Sequence, residues 1–395
     1  MGSGKYFWHI GGVWCPSYED CDAILRSQQQ RTAAFGCVEA CVPDLFATNI
    51  LIFLSNDGSP DSEWAAIKQA VHKAFPLSQT NKDYKDRLEK LNSYLQEEWA
   101  TPSLKDFSNT DFVEKMVCKS VFWMMFGVWI KDEEAKTLTG WRTNAPFFIL
   151  PRLMQRFLFN TGINKVKKLR EDTIKIIEDN SLQYVFTKMN ESLPVRYRRE
   201  ETVKLADEIM YVIGFAGMGG TSACVESVGA FLQNKKPKGS YDINFGTYKT
   251  PAEMVAAYTK DPYQYIREVC RLDPPVTSAT QVLKEASNAE INGRDYSLPA
   301  GTLNQYVLSI GNRDEQIFPE PSTFDPTRAN VTKALTWNGA FGEQGDDKAY
   351  PRLCPGRYMA LDVCKALVTW ALHNEEGGPQ VTMPKESSAC CSGAH

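Results

Sequence analysis

Cys354 lies in the run Pro351-Arg352-Leu353-Cys354-Pro355-Gly356-Arg357, directly before an apolar stretch of helical spacing, Tyr358 to Leu372. A cysteine thiolate can bind haem iron axially and push electron density onto it. The neighbours suit that chemistry. Gly356 lets the backbone approach a porphyrin with no side chain in the way. The start of the next helix points N–H groups and a positive dipole end at the sulfur, which favours thiolate over thiol. Arg352 and Arg357 add positive charge nearby. Taken alone, the motif is more often that of a buried thiol at a turn.

Two further segments precede it. In Glu268-Val269-Cys270-Arg271 the acid and the base sit at i and i+3, share one helix face and can pair. Pro274 and Pro275 then end that helix. About fifty residues on comes Phe324-Asp325-Pro326-Thr327-Arg328, whose Arg328 could join Glu268 and Arg271 in a charge triad. Separately, these are a surface ion pair and a proline-rich loop. In this order and spacing before Cys354, the three together resemble the cytochrome P-450 superfamily: its Glu-x-x-Arg helix, its Phe-x-Pro-x-Arg loop and its Cys-x-Gly haem loop. The likeness runs from roughly Tyr18 to Leu372.

That resemblance implies haem b (iron protoporphyrin IX) as cofactor, with Cys354 as the metal ligand and Gly356 beside it. Glu268, Arg271 and Arg328 become a structural triad on the proximal side. Trp64 and Lys68, four apart on a predicted helix, match the positions where family members place an aromatic or histidine and a basic residue. Lys284 and Arg352 match two further basic positions. These four are the expected partners of the haem propionates. Each cation is otherwise a solvated surface charge.

The distal helix carries the information on reaction type. Family members usually show Ala-Gly-x-Asp/Glu-Thr-Thr/Ser there, pairing an acid with an alcohol for proton delivery. This chain has Gly214-Phe215-Ala216-Gly217-Met218-Gly219-Gly220-Thr221-Ser222. Aligned on Ala216-Gly217, Gly219 takes the acid's place and Gly220 the threonine's, and neither has a side chain to relay a proton. Thr221 follows one residue late, about 100° round a straight helix. Small residues also simply let a helix pass close to haem. An empty relay suits a substrate whose oxygen is already reduced. The segment resembles the Phe-Asn-x-x-Gly-Gly motif of the allene oxide synthase and hydroperoxide lyase family, with Phe215, Gly219 and Gly220 in register. Trp337-Asn338-Gly339, followed by the long stretch Ala340 to Arg352, is similar to that family's lengthened haem loop. One departure stands out: the family's distal asparagine is Ala216, which cannot hydrogen-bond a peroxide.

The resemblance therefore implies an enzyme that rearranges a fatty-acid hydroperoxide without external reductant, by isomerisation or lysis, giving an allene oxide, a hemiacetal or an epoxyalcohol. Phe215, Ala216, Gly219, Gly220 and Thr221 are its candidate catalytic positions. The alternatives are a monooxygenase of lipophilic small molecules, which needs a redox partner, and a non-catalytic haem-binding protein. The substrate is lipophilic in either enzyme.

Several elements must position these residues. Ser17 reads as the cap of a helix at Tyr18. Helices are predicted from about Ser62 to Phe75, Asn81 to Trp99, Phe112 to Phe126 and Glu200 to Leu232. Phe147 to Phe159 is rich in large apolar residues and suits either a lipophilic pocket or ordinary core. Strand-like pieces cluster between Val276 and Leu308. Helices first and strands grouped late predict a mainly α, α+β domain. The expectation is one cytochrome P-450-like domain over residues 1–395, truncated at both ends, with a polar tail at 374–395.

Composition narrows the setting. A net charge of −4 argues against a nucleic-acid surface. The four histidines show no metal-ligand spacing. Eleven dispersed cysteines without a regular framework indicate a reducing compartment. No apolar run reads as a membrane span and Met1 to Gly12 does not read as a signal peptide, so a cytoplasmic or membrane-peripheral location is expected.

Overall fold

The computed structural model describes residues 7–9, 12–26, 62–144, 160–283, 286–291, 294–340, 349–373, 375 and 378–379. Lys284, the Phe147 to Phe159 stretch, most of the loop after Ala340 and nearly all of the 374–395 tail lie outside the described residues.

Helices dominate. They are α1 (Tyr18–Arg26), α2 (Glu63–Ala74), α3 (Lys82–Glu98), α4 (Thr110–Phe126), α5 (Asp132–Asn144), α6 (Asn160–Asp179) and α7 (Gln183–Ser192). A long helix, α8 (Thr202–Leu232), follows. The last are α9 (Pro251–Lys260), α10 (Pro262–Leu272), the short α11 (Leu308–Gly311) and α12 (Arg357–Ala371). Local signals set their starts. Ser62, Asn81, Asn109 and Asp261 each accept a backbone N–H with the side chain at a helix N-terminus. Thr250 and Glu253 close a capping box at α9, with Pro251 at its first position.

A small sheet carries strands from both parts of the sequence. Strands β1 (Phe7–His9) and β2 (Gly12–Cys15) join β3 (Ala279–Val282) and β6 (Leu303–Tyr306) in the order β1-β2-β6-β3. β2 runs parallel to β6, and the other pairs are antiparallel. The late strands fall where the sequence predicts them. β1 and β2 were not predicted: three or four residues give too short a pattern to read. Two hairpins complete the sheets, β4–β5 (Ser287–Ile291, Arg294–Leu298) and β7–β8 (Leu335–Thr336, Gly339–Ala340).

The large core joins α2, α3, α4, α7, α8, α9, α10 and α12. Helix α8 runs through it. It is long and apolar enough to cross a membrane, contrary to the sequence expectation, yet 65% of its most apolar window is buried inside the fold. Its apolarity is that of a core helix. A second cluster packs Cys21, Ile24 and Leu25 of α1 against Leu335, Tyr350 and Leu353. This fixes the segment that leads into Cys354.

Candidate active site

Cys354 sits one turn before α12, on a loop held at both ends. Its N–H donates to the Trp337 carbonyl at 2.8 Å, and its carbonyl accepts from Arg357 Nη1 at 3.0 Å. Trp337 and Asn338 both have positive φ, 49° and 66°, so they form the tight two-residue turn of the β7–β8 hairpin. Gly339 follows because nothing larger fits. A Cβ there would lie 2.7 Å from Tyr350 Cγ and 2.9 Å from Leu353 Cδ1. Tyr350 is anchored in turn by Asp22 and Arg26 of α1, each at 2.5 Å from its hydroxyl. The Trp-Asn-Gly motif is thus a hairpin whose close packing sets the approach to the cysteine.

Helix α12 begins at Gly356 with no side-chain cap, so its first N–H groups are open to the thiol. Burial pushes the Cys354 thiol up from its ordinary value. The Gly356 N–H, and then the charges of Arg357 and Lys68, act against that rise. The sulfur is in a setting where one further positive centre would hold it as thiolate.

Lys68 and Arg352 come together although 284 positions separate them. Lys68 Nζ lies 5.1 Å and Arg352 Cζ 5.0 Å from the Trp64 ring, and Lys68 donates to the Pro351 carbonyl at 2.6 Å. Two cations and an indole beside the cysteine loop suit a ligand bearing carboxylates next to an aromatic plane. Trp64, Lys68, Arg352 and Cys354 therefore fit haem.

Glu268, Arg271 and Arg328 meet in the core. Arg271 Nε and Nη2 each donate to a Glu268 oxygen at 2.8 Å, and Arg328 Nε reaches Glu268 Oε1 at 3.2 Å. Arg271 and Glu268 are fully buried. The arginines spend their other N–H groups on the carbonyls of Asn312, Pro319, Glu320, Pro321 and Thr323. They bind the loop between α11 and Arg328 to α10.

Helix α8 is not regular along its whole length. Ile213–Met218 is a π-helical turn, a feature frequent at functional sites. The wider turn ends before Gly219, and Gly220 and Thr221 both lie in the regular α-helix beyond it, so the offset of about 100° between them stands. Thr221 is buried and its hydroxyl donates to the Gly217 carbonyl at 2.8 Å. Ala216 and Gly217 are exposed midway along a helix that is otherwise largely buried. A Cβ on Gly220 would meet nothing within 4 Å. This open face made of small residues is a cradle for a flat ligand. Beside Gly219 lies Arg142 of α5, 3.0 Å from Glu114 and 3.9 Å from Glu226, and burial raises both carboxyls from their ordinary values. Nothing in the local sequence announced this cluster, which draws on three helices.

Solved structures share this arrangement of helices and sheets. Epothilone B-bound cytochrome P-450epoK matches with a TM-score of 0.63 at 15% identity, covering 94% of this chain and 86% of that one. CYP109E1 from Bacillus megaterium, in complex with testosterone, matches with a TM-score of 0.60 at 13% identity, covering 93% and 86%. The chain has the cytochrome P-450 fold. The cytochrome P-450 family model also matches residues 262–387, which hold the triad and Cys354. Among curated proteins, ferruginol synthase of Salvia miltiorrhiza is 32% identical over 124 residues, 30% of this chain and 24% of that protein. The cytochrome P-450 monooxygenase alnH of Emericella nidulans is 30% identical over 129 residues, 32% and 22%. Thromboxane-A synthase of Mus musculus is 30% identical over 125 residues, 30% and 22%. The chain thus matches about a quarter of the length of these curated relatives. Cytochromes P-450 bind haem b through a cysteine thiolate, and Cys354 lies within the segment that the family model matches.

Proposed function

We propose that this cytochrome P-450 is a haem-thiolate enzyme that rearranges a lipid hydroperoxide without external reductant. The observation that carries this reading is the glycine pair of α8: Gly220 faces open space and Gly219 faces Arg142. Neither position offers an acid or alcohol to feed protons to bound dioxygen. Bound haem would supply a thiolate-ligated iron competent to cleave an O–O bond.

The chain's own residues have defined tasks in this reading. Cys354 ligates, and the N-terminus of α12 with Arg357 and Lys68 stabilises its negative charge. Lys68, Arg352 and Trp64 hold the propionate edge. Glu268, Arg271 and Arg328 keep the proximal loops in place and touch no substrate. Ala216, Gly217 and Gly220 leave room for a bulky peroxide group. Ala216 gives it no hydrogen bond, so Thr221 or backbone must orient it. An acyl chain buried in an apolar pocket contributes about 0.8 kcal/mol per CH₂ to binding.

The second reading is monooxygenation with a reductase partner. Thr221 favours it. The Gly217 carbonyl holds this buried hydroxyl on the helix one turn from the open face, where it could pass a proton from water. The monooxygenase among the curated relatives supports the same reading.

Turnover separates the two. Purified ferric protein is mixed with fatty-acid hydroperoxides and no reductant, and conjugated-diene absorbance is followed. Loss of that absorbance at a catalytic rate is the expected result. Turnover seen only with reduced nicotinamide and a reductase, and none with any hydroperoxide, would replace the first reading by the second.

A further inference from the structure

Cysteines that are scattered in the sequence meet in the core. Cys224 of α8, Cys270 of α10 and Cys364 of α12 are all fully buried. Cys224 Sγ lies 3.4 Å from Cys270 Sγ, and Cys364 is a second thiol partner of Cys224. Hydrophobic packing alone would be served by alanine or valine at any of the three. No group of three or more such side chains among the described residues is arranged to hold a metal ion.

Two features make the Cys224–Cys270 contact chemically significant. The sulfurs already touch, so about 0.7 Å of movement by each reaches the S–S bond length of roughly 2.05 Å. Cys224 also stands four residues after Gly220, one turn along the same helix face from open space. A small oxidant admitted to the distal side has one helical turn to cross.

We propose that Cys224 and Cys270 are a redox modification site, closing to a disulfide that ties the distal helix to the Glu-x-x-Arg helix. The oxidant is a hydroperoxide. The thiolate of one cysteine attacks the peroxide's terminal oxygen, breaking the O–O bond, forming a sulfenic acid and releasing an alcohol, or water from hydrogen peroxide. The second thiol then displaces water from that sulfenic acid and forms the S–S bond. In sum, two thiols and one hydroperoxide give one disulfide, one alcohol and one water. Contact with the other two thiols lowers the Cys224 thiol, contact with Cys224 raises that of Cys270, and burial, with the Cys224 contact second, raises that of Cys364. This chemistry needs no haem turnover, so it stands or falls separately from the proposed reaction.

The test uses the full chain with haem. The protein is incubated with hydrogen peroxide or diamide, alkylated, and digested without reduction, and peptides are mapped by mass spectrometry. A peptide pair joined through Cys224 and Cys270, two hydrogens lighter than the sum, is expected, and dithiothreitol should release it. Thermal unfolding should shift upward on oxidation in wild type and not in Cys270→Ala. Complete alkylation of Cys224 and Cys270 after unfolding, under conditions that fully oxidise added glutathione, would overturn the proposal. A link only between Cys224 and Cys364 would overturn the pairing.

Discussion

Arg271→Ala should cost this protein its folded, haem-loaded state rather than its chemistry. The guanidinium is fully buried and donates five hydrogen bonds: two to Glu268 at 2.8 Å, and one each to the carbonyls of Asn312 at 2.9 Å, Pro321 at 2.7 Å and Thr323 at 3.3 Å. Alanine strands the Glu268 Oε2 charge, because Arg328 and the Asp325 N–H both bind Oε1. Removing one partner of a buried ion pair costs about 3–5 kcal/mol, and total stabilities are about 5–15 kcal/mol. The change therefore removes from about a fifth to all of the margin, and the loops that it pins lead into the haem segment. Haem loading is read from the reduced, carbon-monoxide-bound spectrum, and stability from the denaturant midpoint. Both should fall together. Arg271→Lys, which keeps the charge but loses the planar fork, should fall between wild type and alanine. Normal loading and an unchanged midpoint with selectively lost turnover would refute a structural role for the triad.

Three other changes probe different parts of the site. Cys354→Ser should lose the thiolate-haem absorption band; a variant that kept the band would place the ligand elsewhere. Gly339→Ala forces a Cβ to within 2.7 Å of Tyr350 and 2.9 Å of Leu353, an overpacking worth about 1–3 kcal/mol. Its unfolding midpoint should drop and haem should leave faster, and unaltered retention would show that the hairpin does not set the cysteine loop. Asp207 on α8 is buried, and that burial pushes its carboxyl up to about 7 despite Arg170 Nε at 2.5 Å. Between the ordinary aspartate value, about 3.9, and its raised value the native state holds the extra proton, so Asp207 makes stability fall as pH rises through that window. Asp207→Asn cannot ionise and should flatten this part of the profile. Thermal midpoints measured below and above the raised value, with equal wild-type and variant slopes, would contradict the assignment.

The sequence alone determined what local pattern and short-range chemistry can specify. The cap at Ser17, the ends of α2 and α3, and the late strands follow from residue type within a few positions. The cysteine loop, the Glu268–Arg271 face and the glycine run of α8 were legible because each is a contiguous motif. Tertiary structure alone decided everything that needs distant residues to meet. Trp64, Lys68 and Arg352 converge only after α2 docks on the cysteine loop, and Arg328 finds Glu268 only when its loop folds over α10. The π turn at Ile213–Met218 leaves no mark that periodicity can detect, because it changes the hydrogen-bond ladder rather than the composition. The Cys224, Cys270 and Cys364 cluster was invisible for the same reason as the Arg142, Glu114 and Glu226 group. Each draws one residue from each of three helices, and helix packing, which depends on the whole core, sets those distances.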